Sequence, residues 1–162
     1  MVDVKILQQE GYNFLWVDKK LWMWDIPEED KEQKQIADQA YGDVLVAGYG
    51  LGLVQKYLLK NPKVKSILTM EILQEVVNTN DQIFGELYGD VVIGDFLNFK
   101  FTKKYDCVIG DIWVEISKNG LKDYIQFKER AKYLIKENGK ILGWGQDYYE
   151  YLLGGKDGIP KC

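Results

Sequence analysis

The chain has 162 residues, enough for one domain with a single substantial core. Its 46% apolar and 14% aromatic content excludes disorder, and it holds no apolar run near the ~20 residues that span a bilayer. The start lacks the basic-then-apolar pattern of a signal peptide, so the expectation is a cytoplasmic globular protein with no membrane segment. Of 21 basic residues only Arg130 is an arginine, and the formal charge is −4. Nucleic-acid readers lean on arginine for bidentate contacts, so that class is disfavoured. Histidine is absent, which removes His-based acid–base chemistry and most zinc sites. Cys107 and Cys162 suggest neither a disulfide nor a metal site.

Residues 11–26 read as a β-hairpin, with Asn13 to Val17 and Leu21 to Trp24 flanking Asp18-Lys19-Lys20. Its three tryptophans, Trp16, Trp22 and Trp24, read first as packing anchors and second as a ligand platform. Pro27 followed by Glu28, Glu29 and Asp30 starts a helix that runs to about Ala40.

Asp43 to Leu53 is the organising stretch. Val44 to Ala47 is a short apolar run suited to a strand covered on both faces, and it meets Gly48, Gly50 and Gly52 at alternate positions. Gly48 and Gly50 let the backbone turn tightly and approach a ligand; Gly52 lets the next helix, Leu51 to Lys60, pack close. Strand, glycine turn and helix in that order read as a nucleotide-binding turn.

Val64 to Met70 is a second strand ending on Glu71, followed by a helix over Leu73 to Asn80. A third strand, Asp90 to Ile93, ends on Gly94-Asp95, and a fourth, Tyr105 to Ile109, ends on Gly110-Asp111. A long helix is predicted over Leu121 to Glu137, stopped by Asn138-Gly139, with Lys140 to Trp144 as the fifth strand. Its lysine-rich stretch reads as a solvated face. Tyr148, Tyr149 and Tyr151 then precede a glycine-rich tail. Strands alternating with helices imply an α/β fold with a doubly wound, Rossmann-like parallel sheet. One domain is expected over 1–162, made of the hairpin (11–26), the core (27–145) and the tail (146–162).

In such sheets ligands bind beyond the carboxyl ends of the strands, where Glu71, Asp95 and Asp111 all fall. Glu71 lies 23 residues after Gly48, near the ~20 at which a dinucleotide fold places an acid for ribose hydroxyls. Asp95 is placed to accept a hydrogen bond from an adenine amine, and Asp111 to face a reacting group.

These segments resemble the class I S-adenosylmethionine-dependent methyltransferases, and within them are most similar to the spermidine synthase branch. The motifs that carry the resemblance are Val44 to Gly52, Met70-Glu71-Ile72, Val91 to Asp95 and Tyr105 to Asp111. The resemblance implies a methyltransferase-type sheet. It assigns Gly48, Gly50 and Gly52 to the methionyl end of the cofactor, Glu71 to the ribose hydroxyls and Asp95 with Phe96 to the adenine, with Tyr49 and Ile72 as further cofactor-binding residues. Three positions depart from the family patterns: Val46 where methyltransferases carry an acid, and Leu51 and Val114 where spermidine synthases carry aspartates. A sulfonium is already an activated donor, so a histidine-free site suffices for positioning and desolvation.

The reading is a methyltransferase acting on a small molecule, with Asp111 and Trp113 at the reaction site and no metal. The alternatives are an aminopropyltransferase using decarboxylated S-adenosylmethionine, a cofactor-binding protein without turnover, and a nicotinamide-dependent dehydrogenase. Gln146 to Cys162 is too short for a further helix and hairpin, so the sheet is expected to be truncated after its fifth strand. The tyrosines would then fold back over the fifth strand or join a homodimer interface.

Overall fold

A computed structural model describes residues 2–113 and 115–154. Val114 and the end of the predicted tail, with Cys162, lie outside them.

The chain opens with three antiparallel strands, β1 (Val4–Gln9), β2 (Tyr12–Val17) and β3 (Lys20–Trp24), in the order β1-β2-β3. The predicted hairpin is therefore two-thirds of a sheet. β1 escapes a sequence reading because only Ile6 of its six residues is buried, so it shows no alternation. Asp18 and Lys19 both take positive φ, 47° and 67°, as a two-residue hairpin turn requires.

Helix α1 (Pro27–Asp38) begins on the predicted proline and acids and ends two residues short of Ala40. The main sheet contains β4 (Gly42–Ala47), β5 (Val64–Glu71), β6 (Asp90–Ile93), β7 (Tyr105–Gly110) and β8 (Ile135–Gly143). All five are parallel, in the order β6-β5-β4-β7-β8, and are the sheet's only strands among the described residues. Between them run α2 (Leu53–Lys60), α3 (Gln74–Phe84) and α4 (Leu121–Lys132). The predicted fold class holds.

Alternate residues of β4 face opposite layers. Val44 and Val46 pack with Ile36 and Ala37 of α1 and Val54 and Leu58 of α2. Leu45 and Ala47 pack with Tyr124, Phe127 and Ala131 of α4. All four β4 residues have zero exposure, as expected of a central strand covered on both faces. A third cluster joins the N-terminal sheet to the core: Ile6, Leu15 and Val17 meet Tyr49, Leu51, Leu53 and Val76.

Helix α2 begins at Leu53 rather than Leu51 and β8 at Ile135 rather than Lys140, and the ends of two further helices also differ from prediction. Helix α3 continues to Phe84 and is capped by Gly85 in the left-handed region, φ 78°. Helix α4 stops at Lys132, and Asn138-Gly139 does not cap it: the pair lies inside β8, where the register against β7 shifts between Tyr105 and Cys107. Asn138 takes φ 66° there, so a dipeptide typical of helix ends serves a strand irregularity.

After β8, helix α5 (Gln146–Leu152) folds back. Tyr149 is fully buried and stacks on Tyr124 with centroids 4.8 Å apart and planes 15° off parallel. Glu150 takes hydrogen bonds from Tyr124 Oη (2.5 Å) and Lys128 Nζ (2.8 Å). Gln146 Nε2 donates to Ile141 O at 2.9 Å, meeting one carbonyl of β8. Tyr149 thus folds back into the core, while Tyr151 stays 41% exposed. No helix among the described residues is long and apolar enough to cross a membrane.

Candidate functional site

β4, β5 and β6 wind one way across the sheet and β7, β8 the other, so strand order reverses between β4 and β7. Gly48 leaves β4 and Asp111 leaves β7 at that crevice, joined by Asp111 N–H to Ala47 O at 3.2 Å. Gly48 has φ +94°, and a Cβ there would lie 2.8 Å from Asp111 O. The glycine is needed for two reasons, the left-handed turn and the close passage of the β7 end.

Glu71 ties the turn to the end of β5. It is buried, and its Oε1 and Oε2 accept the backbone N–H groups of Tyr49 and Leu73, each at 2.9 Å. A carboxylate has about four acceptor positions, so two remain after these bonds.

Beyond the strand ends lies a cavity of ≈ 280 Å³. Gly48, Gly50, Glu71, Asp95 and Asp111 bound it on the sheet side, and Leu15, Trp22 and Met23 of the N-terminal sheet close it from above. Met23 is held against the turn by Leu51 N–H donating to its Sδ at 3.3 Å. The N-terminal sheet is therefore a wall of the site. Trp22 is half-buried, packing against the cluster under the N-terminal sheet while also lining this cavity, and Trp24 is 40% exposed outside it.

Of the residues singled out in the sequence, Gly48, Gly50, Glu71, Ile72, Asp95, Phe96, Asp111 and Trp113 all line the cavity. Ile72 offers an apolar surface there with 58% exposure. Tyr49 and Gly52 do not line it. Tyr49 is turned into the core beneath the N-terminal sheet, with its Oη accepting Tyr88 N–H at 3.0 Å. A Cβ on Gly52 would lie 2.6 Å from that Oη, so Gly52 accommodates the tyrosine. Both belong to the scaffold behind the turn.

Three others have structural duties. Asp95 accepts Leu97 N–H at 3.0 Å and Asn98 Nδ2–H at 2.6 Å, the self-capping of a turn aspartate. The Phe96 ring is buried and stacks on Phe127 at 5.6 Å. Trp113 is buried in edge contact with Tyr124, Phe127 and Tyr149, and its Nε1–H donates to Trp144 O at 2.9 Å. Trp113 is a wall of the cavity with no donor to spare.

Asp111 is different. Gln33 Nε2 on α1, itself 1% exposed, donates to Asp111 Oδ2 at 3.0 Å and to Glu29 Oε1 at 3.1 Å. Burial pushes the Asp111 carboxyl up to about 8, with the charges of Glu29 and Glu32 adding and the Gln33 bond opposing. Burial likewise pushes Glu29 up to about 7. Two acids that resist ionisation, bridged by one amide, are an arrangement suited to holding or taking a proton near neutrality.

Sequence reading missed Glu29 and Gln33 because polar residues on an amphipathic helix default to solvent. The signal lay in their spacing. Glu29, Gln33, Ile36 and Ala37 share the buried face of α1, so two polar groups stand at core positions.

No family model matches this chain, and no curated protein matches it in sequence. Solved structures match its fold. One is an S-adenosylmethionine-dependent methyltransferase from Clostridium acetobutylicum, 18% identical, with a TM-score of 0.51, covering 69% of this chain and 49% of that one. Another is DesVI of Streptomyces venezuelae, 12% identical, with a TM-score of 0.52, covering 71% and 50%. The chain spans about half the length of these structures. The likeness places its parallel sheet and flanking helices in the Rossmann-like methyltransferase fold.

Proposed function

We propose that the chain binds S-adenosylmethionine in the cavity beyond β4 and β7 and acts as a methyltransferase-like protein on a small molecule. The observation that carries this is the charge of the cavity. Glu71, Asp95, Asp111 and Asp123 line it, with no lysine or arginine among its described lining residues. That lining suits a cationic sulfonium and opposes the two phosphates of a nicotinamide dinucleotide. The methyltransferase-type fold supports the same choice.

Glu71 would hold the ribose diol with its two remaining acceptor positions. Ile72 would cover one face of the adenine, and Asp95 would accept the adenine amine through a lone pair its turn leaves free. Gly48 and Gly50 would lie along the methionyl end. The cofactor supplies an activated methyl group. Asp111, at the switch point, would in its ionised form take the acceptor's proton at Oδ1, the oxygen not bonded to Gln33, and its raised value makes that form a stronger base, favoured above about pH 8. Trp113 would exclude water.

The sequence resemblance to spermidine synthases supports a second reading, and the acidic lining is compatible with it: no basic residue among the described lining residues would meet the carboxylate of S-adenosylmethionine, so the decarboxylated form fits as well. Isothermal titration calorimetry with S-adenosylmethionine, its decarboxylated form, S-adenosylhomocysteine and NAD tests both. Saturable binding of S-adenosylmethionine and its homocysteine product supports the first reading. Preference for the decarboxylated ligand selects the second. Binding of NAD alone overturns both, and cofactor binding without turnover on any acceptor leaves a binding protein.

A further inference from the structure

A second cavity, ≈ 350 Å³, opens beside the first and shares Trp22 and Met23 with it. Its size falls in the range of about 300–1,000 Å³ typical of small-molecule sites. Three indoles, Trp22, Trp24 and Trp144, with Leu21, Met23, Ile26 and Ile116, form its apolar walls, and four acids, Glu28, Glu29, Glu32 and Glu115, line the rest. No lysine or arginine stands among its described lining residues.

The acids differ in how far they are committed. Glu32 Oε2 accepts Trp144 Nε1–H at 2.9 Å, and Glu115 Oε1 accepts Asn119 Nδ2–H at 3.2 Å. Glu29 is 7% exposed; its Oε1 is met by Gln33, and the Trp144 indole N–H, which donates to Glu32, is its other polar neighbour on the cavity side. A carboxylate that opens on a cavity keeps acceptor positions for a donor entering that cavity. The group that meets a pair of neighbouring carboxyls and also sits well against indole faces is an ammonium ion.

We propose that this second cavity binds an organic ammonium ion, a primary or secondary amine on an apolar body, with Glu29 and Glu32 meeting the charge and Trp22, Trp24 and Trp144 the body. As a cation site this stands alone; as the acceptor site it rests on the transferase reading above. Gln33 lies between the cavities, with Glu29 facing this one and Asp111 the first. An amine seated on Glu29 therefore sits one side chain away from Asp111, the group placed to take its proton.

The test is tryptophan fluorescence of the whole chain, titrated with 2-phenylethylamine, hexylamine and 1,5-diaminopentane, and with the uncharged isosteres 2-phenylethanol and hexanol. At least one amine should saturate, and its alcohol should bind about tenfold more weakly, the scale of one charge-assisted hydrogen bond. The double variant Glu29→Gln, Glu32→Gln should lose about as much for the amine while leaving the alcohol unchanged. Glu32→Gln alone, on the exposed part of the helix, keeps the comparison available should the double variant fail to fold. Amine and alcohol binding equally, no amine saturating, or an amine held undiminished by the folded variants would each overturn the proposal. Titrations repeated with S-adenosylhomocysteine separate the two readings. Amine binding in a protein that takes no adenosyl ligand sinks the transferase and keeps the site; adenosyl binding without amine binding does the reverse.

Discussion

Replacing Glu71 should damage stability and ligand binding together, because one carboxylate does two jobs. Its oxygens take the N–H groups of Tyr49 and Leu73, the first inside the glycine turn and the second at the start of α3. Glu71→Ala leaves both donors without their acceptor. A buried unsatisfied donor costs about 1–3 kcal/mol, and water entering from the adjoining cavity offsets part of this, so the expected loss is about 2–4 kcal/mol. For a chain of this length that lowers Tm by roughly 5–15 °C. Glu71→Gln keeps one oxygen acceptor and should lose about half as much. Thermal unfolding followed by circular dichroism reads the stability, and calorimetry on the folded variants reads adenosyl binding, expected to weaken at least about tenfold. An alanine variant within ~1 °C of the parent would refute the hydrogen bonding described for the turn. Full stability loss with unchanged affinity would refute the ribose role alone.

The buried acids make stability fall with pH. Asp111 and Glu29 have folded-state values raised above their unfolded ones, so between about pH 4 and 8 the folded chain holds protons that the unfolded chain has lost. Their contribution is therefore most favourable at low pH, weakens as pH rises through that window, and levels off above the folded values. Asp111→Asn should flatten this slope and raise Tm at pH 8, and a Tm that falls in the variant would contradict it. Gln33→Leu removes the only hydrogen-bond donor to Asp111 Oδ2 among the described residues and should move the Asp111 titration further up, read by carboxyl NMR; an unmoved titration would exclude the bridge. Tyr149→Ala opens a cavity in a fully buried site and should cost about 3–5 kcal/mol in urea unfolding, against well under 1 kcal/mol for exposed Tyr133→Ala. Equal effects would mean that α5 is not part of the core.

The central α/β unit was legible because each of its signals is local. An apolar run followed at once by Gly48, and strands ending on Glu71, Asp95 and Asp111, need no distant contact to be read, and all of them reach one sheet edge. Features decided by tertiary contacts were hidden. β1 pairs along its whole length with β2 yet buries one side chain, so nothing in its own residues marks it as a strand. Asn138-Gly139 carries helix-stop chemistry, yet the pairing of β8 with β7 decides its use. Tyr49 looked like a ligand contact by its place between two glycines, but the space above it belongs to the N-terminal sheet. The pairing of Glu29 and Gln33 with Asp111 spans α1 and the end of β7, 78 residues apart between Gln33 and Asp111, and only the fold brings them together.

A crystal structure of the chain soaked with S-adenosylhomocysteine tests the central claim most directly. The account predicts ligand density in the cavity beyond β4 and β7, with the ribose hydroxyls within hydrogen-bond reach of Glu71 and the sulfur end running past Gly48 towards Asp111. Density confined to the Trp22, Trp24 and Trp144 cavity, or the first cavity still empty at saturating ligand, would contradict it.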